Sequence, residues 1–207
     1  MPLTLNAMQG AALVLLSSVA QTVVSRPALA QEERFLPPAV VSAQLDSLER
    51  IALTDASQDR RVKAITRMAS AGWITTEARR GAVPIEVRYP GVVERLARTY
   101  DKNDEYGIRY YVISLMMTQA EQAQAAAFLE RVAQTPVEPG PAPPPGVMVV
   151  TDTPSLPTLA IGALLHVGPE GEAALRRLHA AGTVQEPGAR RELENLAKRG
   201  LLPPGRP

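Results

Sequence analysis

No cysteine occurs among the 207 residues, so the chain can form no disulfide, offers no thiolate nucleophile and builds no thiolate metal site. Histidine is nearly as scarce. His166 and His179 have no carboxylate at the H-x-x-E or H-E-x-x-H spacing that a metal site or a general base would use. The glycine-rich loops that cradle phosphates and the G-x-S-x-G elbow that presents a nucleophilic serine are missing too. The acidic cluster DKNDE, residues 101 to 105, lacks the spacing and terminal glutamate of a calcium loop and reads as a helix-capping turn. Aromatic residues make up only 4% of the chain, and 22 basic residues nearly cancel 21 acidic ones, leaving a net charge of +1. That balance excludes a strongly basic nucleic-acid binder. The residues therefore nominate no catalytic group, no metal ligand and no cofactor or small-molecule site, and the chain is expected not to be an enzyme.

What is present begins with an apolar stretch. Residues 11 to 24, AALVLLSSVAQTVV, are uncharged and end shortly before Ala28-Leu29-Ala30, the pattern of an export signal cleaved after Ala30. The run falls short of the roughly 20 apolar residues that span a bilayer. The positive charge usual before such a run is lacking in MPLTLNAMQG, which leaves an uncleaved anchor as the alternative. The expected organisation is a signal peptide over residues 1–30, a polar lead-in over 31–38, one helical domain over 39–200 and a loose tail over 201–207.

Within that domain the apolar period is helical throughout. Val41, Leu45, Leu48 and Ala52 form one stripe, and Val62, Ile65, Met68 and Ala69 a second after a turn with Asp55 or Ser57 as cap. Residues 73–90 break the rhythm with Gly81 and Pro84, leaving room for one helical turn, and Pro90 suits the first turn of the next helix. Val92, Val93, Leu96 and Tyr100 then start another pair, completed by residues 105–117. A helix over 119–134, a proline-rich loop over 136–154 and a helix from about Ser155 to Gly168 make a third pair, and residues 171–182 and 188–200 a fourth. In the loop, six of the eleven residues from 136 to 146 are proline, which favours extended polyproline backbone.

The pairs echo one another. LERIALT at 48–54 returns as VERLART at 93–99, and RRVKAITRMA at 60–69 returns as IRYYVISLMM at 108–117, with Arg61, Ile65 and Met68 matching Arg109, Ile113 and Met116. A spacing of this size is that of a HEAT or armadillo unit. The pattern resembles HEAT-repeat proteins, especially short bacterial HEAT-like units, whose second helix follows a turn aspartate and carries an arginine and an apolar stripe. Those positions read Asp55, Arg61 and Ala64-Ile65-Met68, then Asp101 or Asp104, Arg109 and Val112-Ile113-Met116. The third unit has Asp152 and Ala160-Ala163-Leu164, with Thr158 or Leu159 where the arginine belongs, and the fourth has Arg190 or Arg191 with Leu193 and Leu196 but no turn aspartate. The resemblance implies an all-α fold, a right-handed α-α superhelix of about four helix pairs with the proline-rich loop inserted in the third.

Such a scaffold offers surface rather than chemistry. The resemblance and the export signal together imply a non-catalytic protein-interaction module, secreted or periplasmic, with another protein as partner and no nucleic acid. Two alternatives are a cofactor- or chromophore-binding protein like the HEAT-like bilin lyases, and a plain structural helical bundle. Two features nominate the interacting surface. All five tyrosines fall between positions 89 and 111; Tyr106 and Tyr110 continue into Ile113 and Met117 and are expected in the core, leaving Tyr89 and Tyr111 exposed. Residues 56–99 also carry nine basic side chains against four acidic, with Arg60, Lys63 and Arg67 on one helix as the candidate contact with an acidic partner or anionic surface. The helix over 60–69 is charged outside its stripe, as at the end of a stack, while that over 108–117 is apolar nearly all round and is expected buried between neighbours.

Overall fold

The computed structural model describes residues 37–136 and 154–202. Among them nine helices occur and no strand: α1 (Pro38–Thr54), α2 (Gln58–Ser70), α3 (Thr76–Arg79), α4 (Val92–Asp101), α5 (Tyr106–Met116), α6 (Gln122–Ala133), α7 (Leu156–Leu164), α8 (Pro169–Ala181) and α9 (Pro187–Lys198). Local chemistry sets their starts. Ser57, Thr75 and Ser155 each accept a hydrogen bond from a backbone N–H three residues on, and α2, α3 and α7 begin there. Proline occupies the first turn of α1, α7, α8 and α9, where its missing donor costs nothing. The single turn α3 lies inside the connector where the apolar rhythm breaks.

The helices pack in pairs, α1 with α2, α4 with α5, α6 with α7 and α8 with α9. The pairs then meet in chain order: α1, α4, α6 and α8 follow one another in one layer, and α2, α5, α7 and α9 in a second. Between the layers lies one continuous apolar cluster, fed by Ile65 and Met68 of α2, Ile113 and Met116 of α5, and Leu129, Ile161, Leu175 and Leu196 further along. Ile65, Ile113, Met68 and Met116 are all at most 1% exposed, so the matched positions of the two echoing helices occupy matched places in the core. Burying each such side chain contributes about 1.5–3 kcal/mol.

Four polar ties between successive pairs lie at similar separations along the chain, while Arg131 of α6 meets Asp101 of α4 across 30 residues at 2.9 Å. Arg98 grips Glu49 with two bonds of 2.7 and 3.0 Å, Arg95 meets Asp46 at 2.6 Å, Arg61 meets Glu105 at 2.5 Å and Arg177 meets Glu130 at 2.7 Å. Each joins residues 44 to 49 apart. The connectors after α2 and α5 are also tied, with Ile74 N–H donating to the Thr118 carbonyl at 2.9 Å and Ala120 N–H to that of Gly72 at 2.7 Å. Gly72 is fixed by this approach, because a Cβ there would overlap Gln119 Oε1 and crowd Val92.

Four expectations need correction. Pro90 precedes α4 rather than opening it; Gly91 is the cap, at φ +85°, a left-handed conformation that a proline ring forbids. The loose tail does not begin at 201: Gly200, at φ +70°, turns the chain back, and Leu202 is 6% exposed in the core. Helix α5 is not buried on every side. Helices α2 and α7 flank it and α4 backs it, leaving one open side that its tyrosines occupy. Tyr106 and Tyr110, expected in the core, are accordingly each 39% exposed. The signal peptide, most of the lead-in, Asp152 and nearly all of the proline-rich loop lie outside the described residues.

Candidate interaction site

Six of the nine basic residues between 56 and 99 fall into two groups. Arg61, Arg95 and Arg98 are turned into the structure: the side chains of Arg61 and Arg95 are 11% and 16% exposed, and all three engage carboxylates of a neighbouring helix pair or its turn. Arg61 also donates to Asn103 Oδ1 at 3.0 Å. Arg60, Lys63 and Arg67 project from the other side of α2. They are spaced at i, i+3 and i+7, which places them along one face of the helix.

There they line a groove between α1 and α2 of about 270 Å³ together with Leu48, Ile51, Ala64 and Asp55. The Arg60 and Lys63 side chains are 73% and 71% exposed. Arg60 lies 3.7 Å from Asp55, and Lys63 meets Asp59 at 2.7 Å. For Arg67 the described residues provide no ion pair. The arrangement is an apolar trough with a cationic margin. It suits a ligand with an apolar stripe beside carboxylates. Sequence reasoning found the three cations but missed Ile51, which packs partly buried against the core and lines the groove.

The two tyrosines nominated for exposure part company. Tyr111 is 43% exposed. Tyr89 is half-buried against the core, because the connector before α4 folds back over α1 and lines a small recess with Pro38, Val41 and Leu45. What replaces it is a row on α5. The Tyr106 and Tyr110 rings lie 6.3 Å apart at 31°, and those of Tyr110 and Tyr111 lie 5.9 Å apart, nearly perpendicular at 88°. The Tyr106 hydroxyl donates to the Pro154 carbonyl at 2.7 Å. Partial burial first, and neighbouring Tyr110 second, hold the Tyr106 phenol above its ordinary pKa, so that donor keeps its proton at neutral pH. Of the nominated residues, Arg60, Lys63 and Arg67 line the α1–α2 groove and Tyr111 lies in the α5 row beside Tyr106 and Tyr110, while Tyr89 belongs to neither surface.

The chain was compared with family models, with curated proteins and with solved structures, and it matches none of them.

Proposed function

We propose that this chain is a non-catalytic protein-interaction scaffold of the bacterial cell envelope or periplasm, built as a right-handed, HEAT-like superhelix of four helix pairs. Its α1–α2 groove receives an acidic, amphipathic segment of a partner protein. The two-layer order of the helices and the ties at 44 to 49 residues support the solenoid reading, since stacked units contact only their neighbours and repeat their contacts at the unit spacing. The envelope assignment rests on the export-signal pattern of residues 11–30.

The observation that carries the interaction reading is the convergence of Arg60, Lys63 and Arg67 beside Leu48, Ile51 and Ala64. A helical segment laying an apolar stripe into such a groove is a recurrent mode of recognition, with apolar burial supplying affinity and charge supplying register. The test uses two labelled helical peptides of equal length and identical leucine stripe, one with glutamate and one with lysine on the remaining positions. The acidic peptide binds the full chain and the basic one does not. Lys63→Glu with Arg67→Glu weakens the acidic peptide roughly tenfold, the equivalent of about 1.4 kcal/mol. Equal binding of both peptides, or no effect of the charge reversals, overturns the reading.

A further inference from the structure

The connector between α2 and α4 carries an exposed apolar stretch that neither the core nor the groove uses. Val83, Ile85 and Val87 are 47%, 41% and 44% exposed, and every residue from Arg79 to Arg88 lies open. Among the described residues, no backbone N–H or carbonyl from Val83 to Val87 enters a backbone–backbone hydrogen bond. The chain is tied on either side of this span. Upstream, Ala82 N–H donates to the Glu77 carbonyl at 2.9 Å; downstream, Tyr89 packs half-buried against the core and Gly91 N–H donates to Glu121 at 2.9 Å.

Covalent chemistry favours an extended course between those ties. Pro84 holds its own φ near about −65°, and its ring keeps Val83 out of helical backbone. Along an extended chain Val83, Ile85 and Val87 project to one side and Pro84, Glu86 and Arg88 to the other. Glu86 and Arg88 meet at 3.3 Å, as residues sharing a side do.

Endopeptidases take their substrates by strand addition: main-chain groups pair with the enzyme while alternate side chains enter its pockets. Most bonds of a folded protein fail that demand, because paired backbone has to open first. The bond between Ile85 and Glu86 meets it, with Val83-Pro84-Ile85 before it and Glu86-Val87-Arg88 after it, all exposed. Its neighbours are poorer sites. A cut after Arg80 requires α3 to unwind and Ala78, 8% exposed, to leave its place. A cut after Val87 or Arg88 draws Tyr89 off the core.

We propose that this connector is a processing site, hydrolysed between Ile85 and Glu86 by an endopeptidase with a small apolar primary pocket, and that the product remains one folded, two-chain protein. Water supplies the oxygen: the amide C–N bond breaks, Ile85 becomes a C-terminal carboxylate and Glu86 an N-terminal ammonium. The cut severs no helix. Ile65 and Met68 upstream share one apolar cluster with Ile113 and Met116 downstream. The bonds of Arg98 to Glu49, Arg95 to Asp46 and Ala120 to Gly72, at 2.6 to 3.0 Å, bridge it as well. The inference stands independently of what the α1–α2 groove binds.

Brief digestion of the full chain with pancreatic elastase, whose primary pocket is small and apolar, tests this. Cuts are assigned by mass and N-terminal sequence. Among residues 37–136 and 154–202, the first cut is expected at Ile85–Glu86, the two pieces eluting together from gel filtration at the volume of the uncut chain. Ile85→Asp with Val87→Asp, both at exposed positions, leaves the circular-dichroism melt unchanged and slows that cut roughly tenfold or more, since an apolar pocket excludes a carboxylate. Protein recovered from its native cells should contain a fragment beginning at Glu86, and the double variant should not. A first cut elsewhere among those residues, an undiminished rate in the variant, pieces that separate on the column, or only uncut chain in native cells overturns the proposal.

Discussion

Gly91 caps α4 without a side chain, so the first N–H groups of that helix depend on an acceptor from elsewhere. Glu121, in the connector between α5 and α6, supplies it. One carboxylate oxygen accepts from Gly91 N–H at 2.9 Å and the other from Val93 N–H at 3.0 Å, and the residue is 8% exposed. Two charge-assisted bonds at a buried helix N-terminus, where the backbone dipole also favours an anion, make this the costliest single acceptor to remove. Glu121→Ala leaves both donors unpaired. At about 1–3 kcal/mol for each abandoned buried group, less what entering water recovers, the loss should be about 2–4 kcal/mol. Glu121→Gln keeps one acceptor oxygen but turns an amide NH₂ toward the second donor, so about half of that loss remains. Urea denaturation of the full-length variants at neutral pH, followed by far-UV circular dichroism, measures both. The expected order of stability is wild type, then Gln, then Ala, with an accompanying fall in Tm of about 4–16 °C for Ala at 2–4 °C per kcal/mol. An alanine variant within 0.5 kcal/mol of wild type, or a glutamine variant as damaged as the alanine one, would refute the capping role.

Two further outcomes follow from close packing and from charge. In Gly171→Ala the new Cβ would sit on the Leu164 carbonyl oxygen, where α8 crosses the end of α7, and backbone cannot swing aside as a side chain would. The substitution should cost about 3 kcal/mol by thermal melt, against the gain of about 1 kcal/mol that the same change brings in an open helix. Glu186 loses some preference for ionisation through burial, but the N–H groups of Ala189 and Gly188 and the hydroxyls of Ser155 and Thr158 outweigh that loss and place its pKa below the ordinary 4.5. A depressed folded-state pKa gives stability that is present above pH 4.5 and lost as pH falls through the lower folded value. Glu186→Gln should therefore be less stable than wild type at neutral pH, the two curves converging under acid; a constant gap down to the acid limit would contradict the assignment.

The helical period made most of the fold legible. Stripes such as Val41-Leu45-Ala52 and Ala189-Leu193-Leu196 are buried as their spacing requires, and the matched Ile65 and Ile113 share a register in the core because both helices pack on their own partner in the same way. The arginine of the echo was legible in position but not in role. Arg61 reaches forward to Asn103 and Glu105, whereas Arg109 turns back to the Tyr100 carbonyl and Asp104 and lies 5.1 Å over the Tyr100 ring. Which way a long side chain turns depends on the neighbour's turn, and periodicity carries no record of that. The Glu121 cap was hidden for a related reason: donor and acceptor lie 28 and 30 residues apart, beyond any local capping pattern. The tyrosines misled because apolar and half-polar residues count alike in a stripe. Tyr106 and Tyr110 set their rings 6.3 Å apart and each stay 39% exposed, and the Tyr106 hydroxyl finds its acceptor in the Pro154 carbonyl.

The central claim is that the α1–α2 groove is where a partner protein docks, and site-specific photo-crosslinking tests it most directly. A benzophenone side chain is placed at position 63 in the groove or at position 176, on α8 away from it, in the full chain expressed in its native cells. The account predicts one discrete protein adduct from position 63, lost when Arg60 and Arg67 are changed to Glu and absent from position 176. An adduct formed equally at both positions, or one from position 63 that survives the charge reversals, would contradict it.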